Sequence, residues 1–126
     1  MISGKRILVV EDDQVTRRLL ERELSKRGYQ VDTAGDGVRG LTAVESQAPD
    51  LILLDIVLPE LDGMSLLQAL KRRSDTKHIP VIMLTSVAEP SKMIEAISSG
   101  ARFFVVKPFQ TSALVSKIEK ALSETK

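Results

Sequence analysis

LILLD, residues 51–55, is the stretch that decides the fold. Four apolar residues run without interruption and then stop at a carboxylate. A run this short and this continuous reads as a strand buried on both faces, the pattern of a parallel sheet. The same pattern recurs on either side. ILVV (7–10) stops at Glu11-Asp12-Asp13, VIML (81–84) stops at Thr85, and FFVV (103–106) stops at Lys107-Pro108. In an open α/β sheet the carboxyl ends of the strands form the ligand crevice. One sheet edge would therefore collect carboxylates, a hydroxyl and an ammonium, a set suited to a divalent cation and a phosphoryl group.

Between these runs the spacing predicts helices. The first spans about Gln14 to Arg27, with Val15, Leu19, Leu20 and Leu24 as its apolar face and Gly28 at its end. Tyr29–Ala34 alternates apolar and polar residues, as a half-exposed edge strand does. A short helix follows with Val38, Leu41 and Val44, and another near Met64–Arg72 carries Leu66, Leu67 and Leu70. A fourth starts near Pro90, a residue suited to a first helical turn, is expected to bury Met93, Ile94 and Ile97, and stops at Ser99-Gly100. The last packs Leu114, Val115, Ile118, Ala121 and Leu122. Strict alternation with right-handed crossovers gives a doubly wound parallel sheet of five strands with helices on both faces. The edge character of the second strand favours the order 2-1-3-4-5, which opens the crevice between strands 1 and 3.

Composition narrows the classes. The chain has 126 residues, 43% hydrophobic and only 3% aromatic, with 18 basic and 17 acidic residues and a net charge of +1. That length fits one domain over 1–126, with its core at about 5–122. The charges are mixed along the chain, so neither a basic stripe nor an aromatic platform speaks for direct nucleic-acid binding. There is no cysteine for a disulfide or thiolate site. No signal-peptide core and no apolar run approaching ~18 residues is present, so a soluble cytoplasmic protein without a membrane partner is expected. Neither GxxxxGK[ST] nor GxGxxG occurs, which argues against a nucleotide-binding enzyme.

Each strand end has a bland alternative. Asp12 or Asp13 suits the N-cap of the first helix, Thr85 is a good strand residue, and Lys107 can snorkel to solvent. The single histidine, His78, reads as a surface loop residue. Asp55 resists such an account: it lies between LILL and Ile56-Val57-Leu58-Pro59, and a buried carboxylate is costly unless paired or metal-bound. Three acids pushed together raise one another's proton affinity. A hard cation relieves that conflict, and Mg²⁺, with octahedral oxygen ligation at about 2.0–2.1 Å, matches the donors offered. A carboxylate can also act as a nucleophile toward phosphorus. Hydroxyls at Thr85 and Ser86 could donate to a phosphoryl oxygen, and Lys107 offers it a point charge. Pro108 keeps Lys107 extended and leaves the isomer of their peptide bond open.

The chain resembles the receiver domain of two-component response regulators, of the CheY-like (flavodoxin-like) type. The resemblance rests on ILVVEDD (7–13), DLILLDIVLPELDG (50–63), PVIMLTS (80–86) and GARFFVVKPF (100–109), in this order and at these intervals. It implies that Asp55 accepts a phosphoryl group from a phosphohistidine of a histidine kinase or phosphotransfer protein. It implies Mg²⁺ held by Glu11, Asp12, Asp55 and the backbone carbonyl of Val57, with Asp13 as an additional acid. Thr85 and Lys107 would follow the phosphoryl group, and Phe104 would be the switch aromatic. The helix 4–strand 5–helix 5 face would then change for an output partner, with monomer and phosphorylation-dependent homodimer both open. A signalling switch, rather than an enzyme in its own right, is implied. Two departures stand out. Phe104 lacks the polar tip common at its position, and Val57 and Val87 are both apolar where relatives often carry a polar side chain that aligns water. A phosphorylation-independent interaction module is the alternative, but such degenerate receivers usually lose an acid, the acceptor or the lysine, and this chain retains them all. An aspartyl-nucleophile phosphatase of the haloacid-dehalogenase type needs a second acid two residues after the first, where this chain has Val57.

Overall fold

A computed structural model of the chain describes residues 4–86 and 89–124. Val87 lies outside them. The elements alternate as expected: β1 (Arg6–Val10), α1 (Gln14–Lys26), β2 (Gln30–Ala34), α2 (Gly37–Ser46), β3 (Leu51–Asp55), α3 (Gly63–Arg72), β4 (Val81–Thr85), α4 (Pro90–Ser98), β5 (Phe103–Val106) and α5 (Thr111–Glu124). The five strands pair in parallel in the order β2-β1-β3-β4-β5.

The three central strands explain their apolar runs. From Ile7 to Val10, Leu51 to Asp55 and Val81 to Thr85 every residue is buried, because helices cover both faces of the sheet. Alternate side chains go to opposite layers. Leu8, Val10, Ile52, Leu54, Val81 and Met83 meet the apolar residues of α2, α3 and α4, while Ile7, Val9, Leu51, Leu53, Ile82 and Leu84 meet those of α1 and α5. FFVV behaves differently. β5 pairs only with β4, so this edge strand stays half-buried despite its wholly apolar sequence.

Side-chain oxygens start the helices. Asp13, Asp36 and Asp62 each accept the backbone N–H three residues on and so cap α1, α2 and α3. α4 has no such bond and begins instead at Pro90. After α1 the chain turns at Gly28, whose φ of +95° suits a residue without a side chain.

Three expected faces are only partly buried. On α1, Leu20 and Leu24 enter the core, but Val15 and Leu19 remain exposed. Each pair is spaced one turn apart, and the two pairs form neighbouring stripes about 100° apart on the helix. Only one stripe can face the sheet. On α4 the inward position is the small Ala96, with Met93 half-buried, while Ile94 (66% accessible) and Ile97 (50%) look outward. On α2, Val38 is likewise exposed and Val44 buried.

Candidate functional site

The register brings the strand ends together. Val10 pairs with Leu54, Asp55 with Leu84, and Thr85 with Val106. The residues that follow, or end, these strands must therefore share one edge. Glu11 and Asp55 emerge side by side, Thr85 stands one strand further on, and Lys107 comes directly after Val106.

The lysine ties the acids. Its Nζ donates to Asp55 Oδ2 at 2.8 Å and also to Glu11 Oε1. Glu11 is fully buried and Asp55 is 5% accessible, so this is a shielded ion triad rather than a surface pair. The other carboxylate oxygens are held as well. Glu11 Oε2 accepts the Asp13 N–H at 3.1 Å, and Asp55 Oδ1 accepts the Val57 N–H at 3.1 Å. Burial pushes the Glu11 carboxyl up to about 7, with the Asp55 charge adding to the rise. The Lys107 and Asp13 hydrogen bonds oppose it. For Lys107, burial opposes the charge. The hydrogen bonds to Asp55 and Glu11 outweigh that and hold the ammonium above its ordinary range.

Asp12 and Asp13 divide the roles that sequence left open between them. Asp13 Oδ2 accepts from the N–H and hydroxyl of Thr16 and so caps α1. The Thr16 bonds hold its carboxyl below the usual range. Asp12 is exposed, and among the described residues its carboxylate has no hydrogen bond. One oxygen each from Glu11, Asp12 and Asp55 lies within 4.8 Å of the others. Ligands on opposite sides of an ion with bonds of about 2.1 Å stand about 4.2 Å apart, so small movements would let all three acids reach one hard cation.

The rim is made by the loop after β3. Gly63 N–H donates to Ile56 O at 2.8 Å, and a Cβ on Gly63 would stand 1.8 Å from Asp55 O. Only glycine lets the chain fold back this closely behind Asp55. Val57 projects outward from the loop and is 57% accessible. Thr85 is buried, and its carbonyl accepts the Lys107 N–H at 2.8 Å; Ser86 beyond it is exposed. The Lys107-Pro108 peptide bond is cis, which the sequence had left open. Ser86, Lys107 and Pro108 line a cavity of about 360 Å³ together with Thr16, Leu19 and Phe109. Phe104 is half-buried and packs against the core on the α2–α3–α4 side. Two contributors escaped the sequence reading. Gly63 enters the sequence reading only as the last residue of DLILLDIVLPELDG, and Arg17, whose guanidinium reaches back to the Glu11 carbonyl, does not enter it at all.

A doubly wound five-stranded sheet in this order, with these acids at the C-terminal edge, defines the CheY-like class of α/β proteins. The model of the response regulator receiver domain matches residues 7–119, and the chain belongs to that family. It is 42% identical over 124 residues to a probable transcriptional regulator ycf27 of Cyanophora paradoxa, covering 98% of this chain and 51% of the relative. The chain thus spans about half the length of the curated relatives it matches. A putative response regulator from Chloroflexus aurantiacus superimposes with a TM-score of 0.91 at 30% identity, covering 97% of this chain and all of the other. The receiver domain of the sensor histidine kinase PA1611 of Pseudomonas aeruginosa, with a magnesium ion coordinated in its active-site cleft, matches at a TM-score of 0.88 and 30% identity. That match covers 97% of this chain and 100% of the other.

Proposed function

We propose that the chain is a phosphorylation-driven switch that accepts a phosphoryl group on Asp55 from the phosphohistidine of a kinase or phosphotransfer partner. The observation that carries this reading is the buried triad, in which Lys107 bridges Asp55 and Glu11 at the crevice of the sheet. A carboxylate oxygen of Asp55 attacks phosphorus, the phosphorus–nitrogen bond breaks, and the histidine leaves with the electron pair. Phosphoryl transfer needs positioning and neutralised charge more than covalent help. Lys107 supplies one positive charge on the Asp55 side chain, and the Thr85 hydroxyl is the donor for a phosphoryl oxygen. Asp12, Asp55, Glu11 and the Val57 carbonyl would hold Mg²⁺, which when bound neutralises phosphoryl oxygens. The acidic set fits that ion, as its oxygens already lie within 4.8 Å of one another.

The acyl phosphate brings about −2 charge to a site where Lys107 is already committed to two acids. Lys107 and Thr85 then re-pair toward it. The shift can be no larger than the difference in stabilisation between the two states. Phe104 lies on β5, within the α4–β5–α5 face, beside Met83 of the strand that ends at Thr85. Exposed Ile94 and Ile97 lie on that face, with Lys92, Glu95, Arg102 and Lys117 as charged contacts for an output partner. The match to transcriptional regulators supports an output partner in general.

The test is to incubate the protein with Mg²⁺ and a small phosphodonor and follow intact mass. A single base-labile phosphoryl adduct is expected, dependent on Mg²⁺ and absent from Asp55→Asn. No adduct, or equal yield from Asp55→Asn, would overturn the reading.

A further inference from the structure

We infer that Arg17 is a positioning residue for the cation site, acting through the main chain that carries Glu11 and Asp12; the inference rests on the cation-binding reading above. Arg17 Nη1 donates to the Glu11 carbonyl at 2.8 Å and lies 3.4 Å from the Asp12 carbonyl. The main chain at Glu11 is held from its other side too, since its N–H donates to Ala34 O at 3.0 Å. Glu11 and Asp55 have Lys107 to fix their carboxylates, whereas the Asp12 carboxylate makes no hydrogen bond among the described residues. The place of Asp12 is therefore set by its backbone, and Arg17 grips that backbone.

The neighbouring strand leaves room for this grip. Gly35 follows β2, and a Cβ there would stand 3.2 Å from Arg17 Nη1 and 3.8 Å from Cζ. At that spacing the guanidinium must give by a few tenths of an ångström, which lengthens its reach to the Glu11 carbonyl. Gly35 lies outside the left-handed region, so its backbone accepts alanine without strain. The bare Gly35 and the side chain of Arg17 thus form one small device: β2 and α1 together clamp the loop between β1 and α1.

Electrostatics and positioning make opposite predictions, which makes the inference sharp. Arg17 is a cation close to a cation site. If its charge were all that mattered, removing it would tighten Mg²⁺ binding. If it positions the loop, removing it weakens binding, and losses of about 10-fold are usual for residues that orient metal ligands. Gly35→Ala keeps the charge and disturbs only the grip.

The experiment is calorimetric titration of Mg²⁺ into the full chain, wild type and variants, with thermal midpoints measured alongside. Arg17→Met is expected to weaken Mg²⁺ binding about 10-fold, Gly35→Ala to weaken it in the same direction, and the double variant to be no weaker than Arg17→Met alone. Affinity that is unchanged or tighter in Arg17→Met overturns the inference. So does wild-type affinity in Gly35→Ala, which also decides the matter if Arg17→Met fails to fold. Wild-type protein that binds no Mg²⁺ would instead overturn the cation-site reading itself.

Discussion

The two ends of the sheet carry the same kinds of ion pair and put them to different use. Towards the amino ends of the strands, Arg6 meets Asp32 at 2.7 Å and Arg102 meets Glu124, and the two acids are 47% and 44% accessible. At the carboxyl ends, Lys107 meets Asp55 at 2.8 Å, with side chains 20% and 7% accessible, and meets Glu11, which has no accessible surface. Contact distances barely differ; the exposure of the acids does. Water and salt screen the first set, so those pairs contribute little. The second set sits in a poorer dielectric, where each charge depends on its partners and a change at one is felt by all. Two acids sharing one lysine is a strained balance of charge, which a cation or phosphoryl group can tip.

The largest effect should come from breaking the buried triad. Lys107→Met leaves Glu11 and Asp55 facing each other with no cation, and we expect a loss of about 3 kcal/mol in metal-free protein near neutral pH, by urea unfolding. A loss below about 1 kcal/mol would make the buried set no different from a surface pair.

Next in size is the response to pH. The folded-state pKa of Glu11 is raised from 4.5 to about 7. The folded protein therefore binds this proton more tightly than the unfolded chain. The associated stability is fully present below about pH 4.5 and is lost as pH rises through 7. Glu11→Gln should remove that dependence. In metal chelator the variant should gain on wild type by about 2 kcal/mol between pH 5 and pH 8, read as the difference between their unfolding free energies. Parallel curves for the two proteins would count against it. Mg²⁺ should stabilise wild type more at pH 8 than at pH 5, where the proton competes.

The smallest effect is expected at the other end. Arg102 makes two contacts to Glu124 and stacks 4.3 Å from the Phe103 ring centroid. Even so, Arg102→Ala should cost no more than about 1 kcal/mol, and less in high salt. A loss matching that of Lys107→Met would erase the distinction between the two ends.

Much of the fold was legible because parallel strands buried on both faces leave continuous apolar runs. LILL, ILVV and VIML marked β3, β1 and β4, and the alternation in Gln30–Ala34 marked an edge. FFVV misled as to burial, since its residues are as apolar as those of a central strand and only the pairing shows that β5 has a single neighbour. The helix faces were partly legible. Periodicity shows which residues share a stripe, but not which of two adjacent stripes meets the sheet, so Val15, Leu19, Ile94 and Ile97 were assigned inward and lie outward.

The site divides in the same way. Chemistry-bearing residues at the ends of strands were visible as Glu11, Asp12, Asp55, Thr85 and Lys107, because a reactive side chain after an apolar run needs an explanation. Sequence alone thus determined the elements, their alternation and which residues stand at the crevice, since those follow from local pattern along the chain. Only the tertiary structure decided that Lys107 joins Glu11 to Asp55 across 96 and 52 residues, that Asp13 caps a helix while Asp12 stays uncommitted, and that Arg17 reaches the Glu11 carbonyl. Each of these depends on which strand lies beside which, and hydrogen bonds between groups so far apart in the chain have no local signature.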